Sequence, residues 1–177
     1  PRLCSFGGQR EAIYWDLAQF AGCLPMLILD DTLRPALEAF PATFQDELRS
    51  SICARLGIKP RGPDEDAKLL IALETFLWEP TITIDRFFFD WRGGRLRTPA
   101  PPDYALRGTF DNIRTLLSAY EPAVSTTHPY WSDPEPCSMH IDEVEAIWSR
   151  IDQADDWSAL EAKIAAIRRM GEAMRPA

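Results

Sequence analysis

Apolar residues in this chain return every three or four positions, from its first segment to its last, and that rhythm restricts it to packed helices. Over residues 9–23 the stripe is Ile13, Leu17, Phe20 and Ala21, widened by Trp15 and Leu24, and it is expected to pack inward until Pro25 ends it. Residues 33–40 read as a short helix. Pro41 then opens another, in which Phe44, Leu48, Ile52 and Leu56 share a face and Gly57 supplies the stop. Ala67, Leu70, Leu73 and Leu77 form the next stripe behind the start signals Pro63 and Asp64. Thr109 is placed to cap a helix carrying Phe110, Ile113, Leu117 and Tyr120. Residues 141–151 and 157–174 close the chain as two helices, the last repeating Trp157, Leu160, Ile164 and Ile167 at heptad-like spacing. They can pair across the QADD turn, with Asp156 as an N-cap. No alternation of strand and helix and no internal repeat interrupts the pattern. The expected class is all-α.

One stretch sets propensity against period. TITIDRFFFDW is rich in β-branched and aromatic residues, which favour a strand, yet Ile84, Phe87, Phe88 and Trp91 fall on one helical face. The period decides for helix, with Phe89 off the buried stripe. Residues 121–139 carry four prolines and several Ser and Thr, too long for a plain connector, so this stretch is either functional or wrapped over a partner surface.

Composition narrows the partners. The 15 prolines fall mostly between periodic segments, as in helices joined by stiff loops. At 177 residues the chain has enough length for a core that buries roughly 70% of the unfolded surface. Its net charge of −8 has the wrong sign for tracking a phosphate backbone, so nucleic acid is not an expected partner. No apolar run reaches the roughly 20 residues that cross a bilayer, and no membrane partner is expected. Cys4, Cys23, Cys53 and Cys137 form no C-x-x-C pair, which suits a reducing, cytoplasmic setting. Cys23 and Cys53, inside helices, are expected to act as small core hydrophobes.

Candidate chemistry is sparse. Arg92, Arg95 and Arg97 around Gly93-Gly94 can form an anion-binding nest, although an exposed basic loop is the commoner outcome. His140 stands near Asp142, Glu143 and Glu145 but lacks the second histidine of a zinc helix, and a helix start explains it more simply. FGGQ lacks the glycine spacing of a nucleotide-binding loop. The Asp30-Asp31 and Asp155-Asp156 pairs read as turns and caps. No catalytic residue and no metal site is expected in this chain.

The order of FGGQREAIYWDLAQFAGCL, ALEAFPATFQDELRSSICARLGI, ITIDRFFFDW, HPYWSDPEPCSMHIDEVEAIWSRI and DDWSALEAKIAAIRRM resembles the C-terminal part of the selenoprotein O-like family, protein adenylyltransferases with a pseudokinase fold. Phe6, Gly7, Gln9, Trp15 and Leu17 match the family's aromatic-Gly-x-Gln-Pro turn and the helix after it, while Arg10 and Asp16 depart from it. The resemblance implies a parent protein that transfers AMP from ATP, with magnesium, to Ser, Thr or Tyr hydroxyls of protein substrates. The family's ATP-handling residues lie N-terminal to the matching region. Residues 1–120 would be the helical part of the large lobe after the activation segment, and 121–177 a Pro-rich loop with a C-terminal helical pair. This region would pack against the N-terminal kinase-like part of the same protein and bind no cofactor of its own. Members of the family can carry a reactive Cys or selenocysteine near the C-terminus; here the chain ends MGEAMRPA, leaving Cys4 and Cys137 as the conceivable redox pair. The alternative is a free-standing helical interaction module, which a start codon near Pro1 would favour.

Overall fold

The computed structural model describes residues 9–24, 30–78, 82–98, 104 and 108–175. They are mostly helical: α1 (Gln9–Cys23), α2 (Asp30–Leu56), α3 (Pro63–Leu77), α4 (Ile84–Asp90), α5 (Phe110–Ser118), α6 (Ile141–Ala154) and α7 (Ser158–Met174), with a 3-10 turn at Pro129–Ser132. No strand occurs among the described residues, only an isolated antiparallel bridge between Ile58 and Pro122. The chain forms two compact units, residues 1–49 and 50–177.

In the first unit, Tyr14 of α1 meets Phe40 of α2 at 5.7 Å between ring centroids, and Phe40 meets Phe44 at 5.8 Å. The expected inward stripe of α1 is not buried: Ile13, Leu17 and Phe20 are all exposed, Phe20 at 62%. Cys23 is exposed as well, contrary to its expected core role. Two helical segments make a single layer of contact, and a stripe wider than that contact has no further layer in the unit to cover it. The two helices expected at 33–40 and 41–56 are one. Pro35 and Pro41 lie inside α2, because the fixed φ of proline is itself helical and its ring removes one bond of the ladder while the rest continues.

The second unit holds every buried side chain among the described residues. The C-terminus of α2 stops at Gly57, whose φ of 71° is open to glycine; its N–H donates to Ala54 O and that of Ile58 to Cys53 O. A Cβ at Gly57 would lie 2.3 Å from Val124 Cγ2. Pro63 starts α3, and the Asp66 carboxylate reaches back to the N–H groups of Arg61 and Gly62 at 3.1 and 3.2 Å. Leu69, Leu73 and Phe76 of α3 then pack with Phe87, Trp91, Tyr104, Ile113 and Leu117. Phe76 stacks on Tyr104 at 6.1 Å and tilts against Phe87 at 5.4 Å, so aromatic contacts tie α3 and α4 into one core.

Residues 84–90 of the TITIDRFFFDW stretch are a helix, as its period predicts, with the Thr83 hydroxyl accepting from Arg86 N–H. Its buried set is wider than expected. Phe89 is only 6% exposed because Tyr130 and Trp131 pack on its ring at 5.3 and 5.7 Å, while Ile84 at the start is 44% exposed.

Residues 121–139 fold back rather than lead away. Lys59 N–H donates to Glu121 O at 2.9 Å and Ala123 N–H to Gly57 O at 2.8 Å, while Tyr130 covers Phe89. The second unit therefore runs continuously through position 120. α6 ends at Asp155 in the left-handed conformation, φ 50°, and Asp156 turns the chain into α7. The N-cap of α7 is Trp157, one residue later than expected, but Asp156 still holds the turn: its Oδ1 accepts from Ser158 N–H at 3.0 Å and its Oδ2 from Arg150 at 2.5 and 2.9 Å. Lys163 of α7, 8% exposed, donates to Glu143 of α6 at 2.6 Å and to Ser138 O.

Candidate functional site

The loop after α4 turns on Gly93 and Gly94, with φ of 79° and 73°, and Gly93 N–H donates to Leu56 O at 2.7 Å. A Cβ at Gly94 would lie 2.7 Å from Ile58 Cγ2, so this turn approaches the end of α2 as only glycine permits. That approach aims Arg92 at the C-terminus of α2: Nη1 donates to Ala54 O at 3.1 Å and Arg55 O at 2.7 Å, and the guanidinium lies 5.3 Å from the Trp131 ring. Burial lowers its pKa from the ordinary arginine value. Arg95 does the same for α5, donating to Leu117 O at 3.1 Å, Tyr120 O at 3.3 Å and Ser118 O at 3.3 Å. Arg97 lies over Phe89 at 4.9 Å and 3.7 Å from the Asp90 carboxylate. The three arginines singled out by the sequence thus go to three different partners. Two of them satisfy orphan carbonyls and the negative ends of helix dipoles.

Two buried carboxylates organise the unit, and neither stood out in the sequence. Asp90, 1% exposed, accepts from Arg86 Nε at 2.7 Å and Tyr104 Oη at 3.1 Å. Arg86 continues to Pro134 O at 2.9 Å and Glu135 at 2.5 Å, joining α4 to the Pro-rich stretch. Burial opposes its charge, but the bonds to Glu135 and Asp90 outweigh it and hold its pKa above the ordinary value. Asp66 accepts from Tyr120 Oη at 2.9 Å. Burial, and then that bond to Asp66, raises the Tyr120 pKa, and burial followed by Asp66 pushes Cys53 up to about 11. The only signal in sequence was an acidic residue recurring within apolar stripes.

A cleft of about 310 Å³ opens between Arg92, Phe88, Trp131, Cys137, Met170 and Met174. Cys137 is half-buried and a free thiol, and its N–H donates to Tyr130 Oη at 3.1 Å. Cys4 lies outside the described residues, and with it the conceivable Cys4–Cys137 pair. His128 accepts from Tyr130 N–H through Nδ1 at 3.1 Å, and the His140 carbonyl starts α6 by accepting from Glu143 and Val144. Among the described residues no cluster of three or more His, Cys, Asp or Glu could hold a metal ion. With Arg92 and Arg95 committed to carbonyls and Arg97 beside Asp90, these residues do not fit a magnesium–ATP site, and no step of nucleotidyl transfer is assigned to them.

Comparison with known proteins matches residues 2–98 to the family described as "Protein adenylyltransferase SelO". The chain belongs to this family. The match takes in Cys4, Arg92, Arg95 and Arg97 and leaves out Cys137 and the α6–α7 pair. A "Protein nucleotidyltransferase YdiU" from Aromatoleum aromaticum is 33% identical over 107 residues, 59% of this chain and 20% of the relative. The chain thus matches about a fifth of that relative's length. No solved structure matches. Among the described residues no helix is long and apolar enough to cross a membrane.

Proposed function

We propose that this chain is the C-terminal helical region of a protein adenylyltransferase whose catalytic residues lie upstream, in a kinase-like fold of which residues 1–120 form the later large lobe. The single observation that carries this reading is the family match over residues 2–98. The parent transfers AMP from ATP to Ser, Thr or Tyr hydroxyls of protein substrates, with magnesium spreading the phosphate charge. Fixed positions and cations make up most of such catalysis. The part played by this chain is structural: Arg92 and Arg95 close two helix ends, Asp90 and Arg86 fasten the Pro-rich stretch to α4, and a rigid platform results. Its partners are the N-terminal kinase-like region and the substrate protein, in the cytoplasm.

Labelled-ATP transfer and titration calorimetry with magnesium–ATP test the reading on two proteins, this chain and a protein carrying the upstream region. AMP incorporation by the longer protein and neither binding nor incorporation by this chain are the expected results. Tight nucleotide binding by this chain alone would overturn the assignment of the catalytic residues upstream.

A further inference from the structure

The α6–α7 hairpin is built with its large apolar residues outward. On α6, Ile141, Val144, Trp148 and Ile151 recur at steps of three, four and three; on α7, Leu160, Ile164 and Ile167 follow Trp157 at the same steps. Ile141 is 67% exposed, Trp148 62%, Trp157 49%, and Val144, Ile164 and Ile167 lie near 40%. The opposite faces carry mostly small and charged residues: Ala146, Ala162, Lys163 and Ala166, with Ile147 among them, line a cleft of about 590 Å³ against Tyr130 and Asp133. Lys163 bonds Glu143 across that side, so the two helices meet there and leave most of the heptad faces uncovered, with Ile151 and Leu160 half-buried. This reverses the usual placing of an amphipathic pair, and an apolar strip of this length on a helix pair marks an interface.

Charge selects the occupant. Glu145 and Asp152 of α6 flank its strip and Arg168 of α7 flanks the other; all three are exposed, and none has an ion-pair partner among the described residues. α6 carries four acidic residues against one basic, and α7 two acidic against three basic. A two-fold axis that sets α6 of one copy against α7 of another pairs unlike charges twice and joins apolar strips of the same period. We propose that a second copy of this chain covers this face, the two hairpins forming an antiparallel four-helix bundle.

Sedimentation equilibrium of the 177-residue chain tests this, with the expected mass twice 20.1 kDa. Ile164→Glu or Trp148→Glu should give monomers with unchanged helical circular dichroism. Arg168→Glu, an exposed change that leaves the fold intact, should raise the dissociation constant about tenfold. Adding Glu145→Arg and Asp152→Arg should restore it. Phe20→Glu on the exposed face of α1 should leave the mass unchanged. The proposal is overturned by a monomer at every concentration, which would leave the face to the remainder of a longer chain. A dimer that survives both Glu variants, or one lost on Phe20→Glu, overturns it equally.

Discussion

Three consecutive phenylalanines on one short helix point about 100° apart, so α4 can bury Phe87, Phe88 and Phe89 together only if it is enclosed on two sides. Phe76 covers Phe87 from α3, and Tyr130 and Trp131 cover Phe89 from the Pro-rich stretch. Phe88→Ala and Phe89→Ala should therefore each cost about 3–5 kcal/mol in urea unfolding; a Phe89 cost under about 1 kcal/mol would show that the cover is loose. The periodicity of α4 marked Phe87 and Phe88 correctly, but nothing local marks Phe89, because its cover comes from residues some forty positions away. Thiols separate in the same manner. Burial and Asp66 keep Cys53 protonated, Cys137 is half-buried and Cys23 is exposed, so alkylation of the native protein at neutral pH should proceed in the order Cys23, Cys137, Cys53. Peptide mapping after iodoacetamide checks the order, and early labelling of Cys53 would contradict its burial near the end of α2.

Two helix ends among the described residues, those of α2 and α5, are closed from a distance, and others from next door. Asp156 was readable as a turn residue because it directly precedes an apolar period, although the N-cap itself is Trp157. The guanidinium caps of Arg92 and Arg95 were not, since each crosses more than twenty residues to reach its carbonyls. Fusion of two expected helices into α2 has a similar root: proline is a strong local stop signal, and only the surrounding ladder shows when it is overridden. The Asp156 turn yields a pH prediction. Its carboxyl is held at about 2, by the Ser158 hydroxyl and N–H first and then by Arg150. A folded-state pKa below the ordinary value near 3.8 means that the charged form stabilises the turn. The contribution is complete above about pH 4 and is lost as pH falls through about 2. Thermal melts followed by circular dichroism should show α7 losing stability across that window, and Asp156→Asn should remove this part of the pH dependence while lowering stability at pH 7. Equal acid sensitivity in wild type and Asp156→Asn would assign the effect to other carboxylates.

Taken over the whole chain, the helical class followed from period alone, whereas the distribution of burial did not. The sequence offers apolar residues at helical spacing in both α1 and α3, but α1 spreads them around the helix and α3 gathers them on one side; Leu69, Leu73 and Phe76 of α3 are buried and Ile13, Leu17 and Phe20 of α1 are exposed. A stripe states that a helix has a face to cover; the number of neighbouring elements decides whether it is covered. The two units should therefore differ in local stability, since the free energy of opening follows buried apolar contact. Amides of α1 and of residues 33–49 should exchange through local opening, while those of α3, α4 and α5 should require unfolding of the second unit as a whole. Hydrogen exchange followed by mass spectrometry at neutral pH measures this directly. The expected result is deuterium uptake in residues 9–49 at least about a hundredfold faster than in residues 66–76 and 87–91, which corresponds to an opening difference of about 2.7 kcal/mol. Self-association through α6 and α7 would slow exchange in those helices and leave the contrast between α1 and α3 untouched. Equal protection in α1 and α3 would mean that the exposed stripe of α1 is covered in solution, and the stability assigned to the second unit would then belong to the chain as a whole.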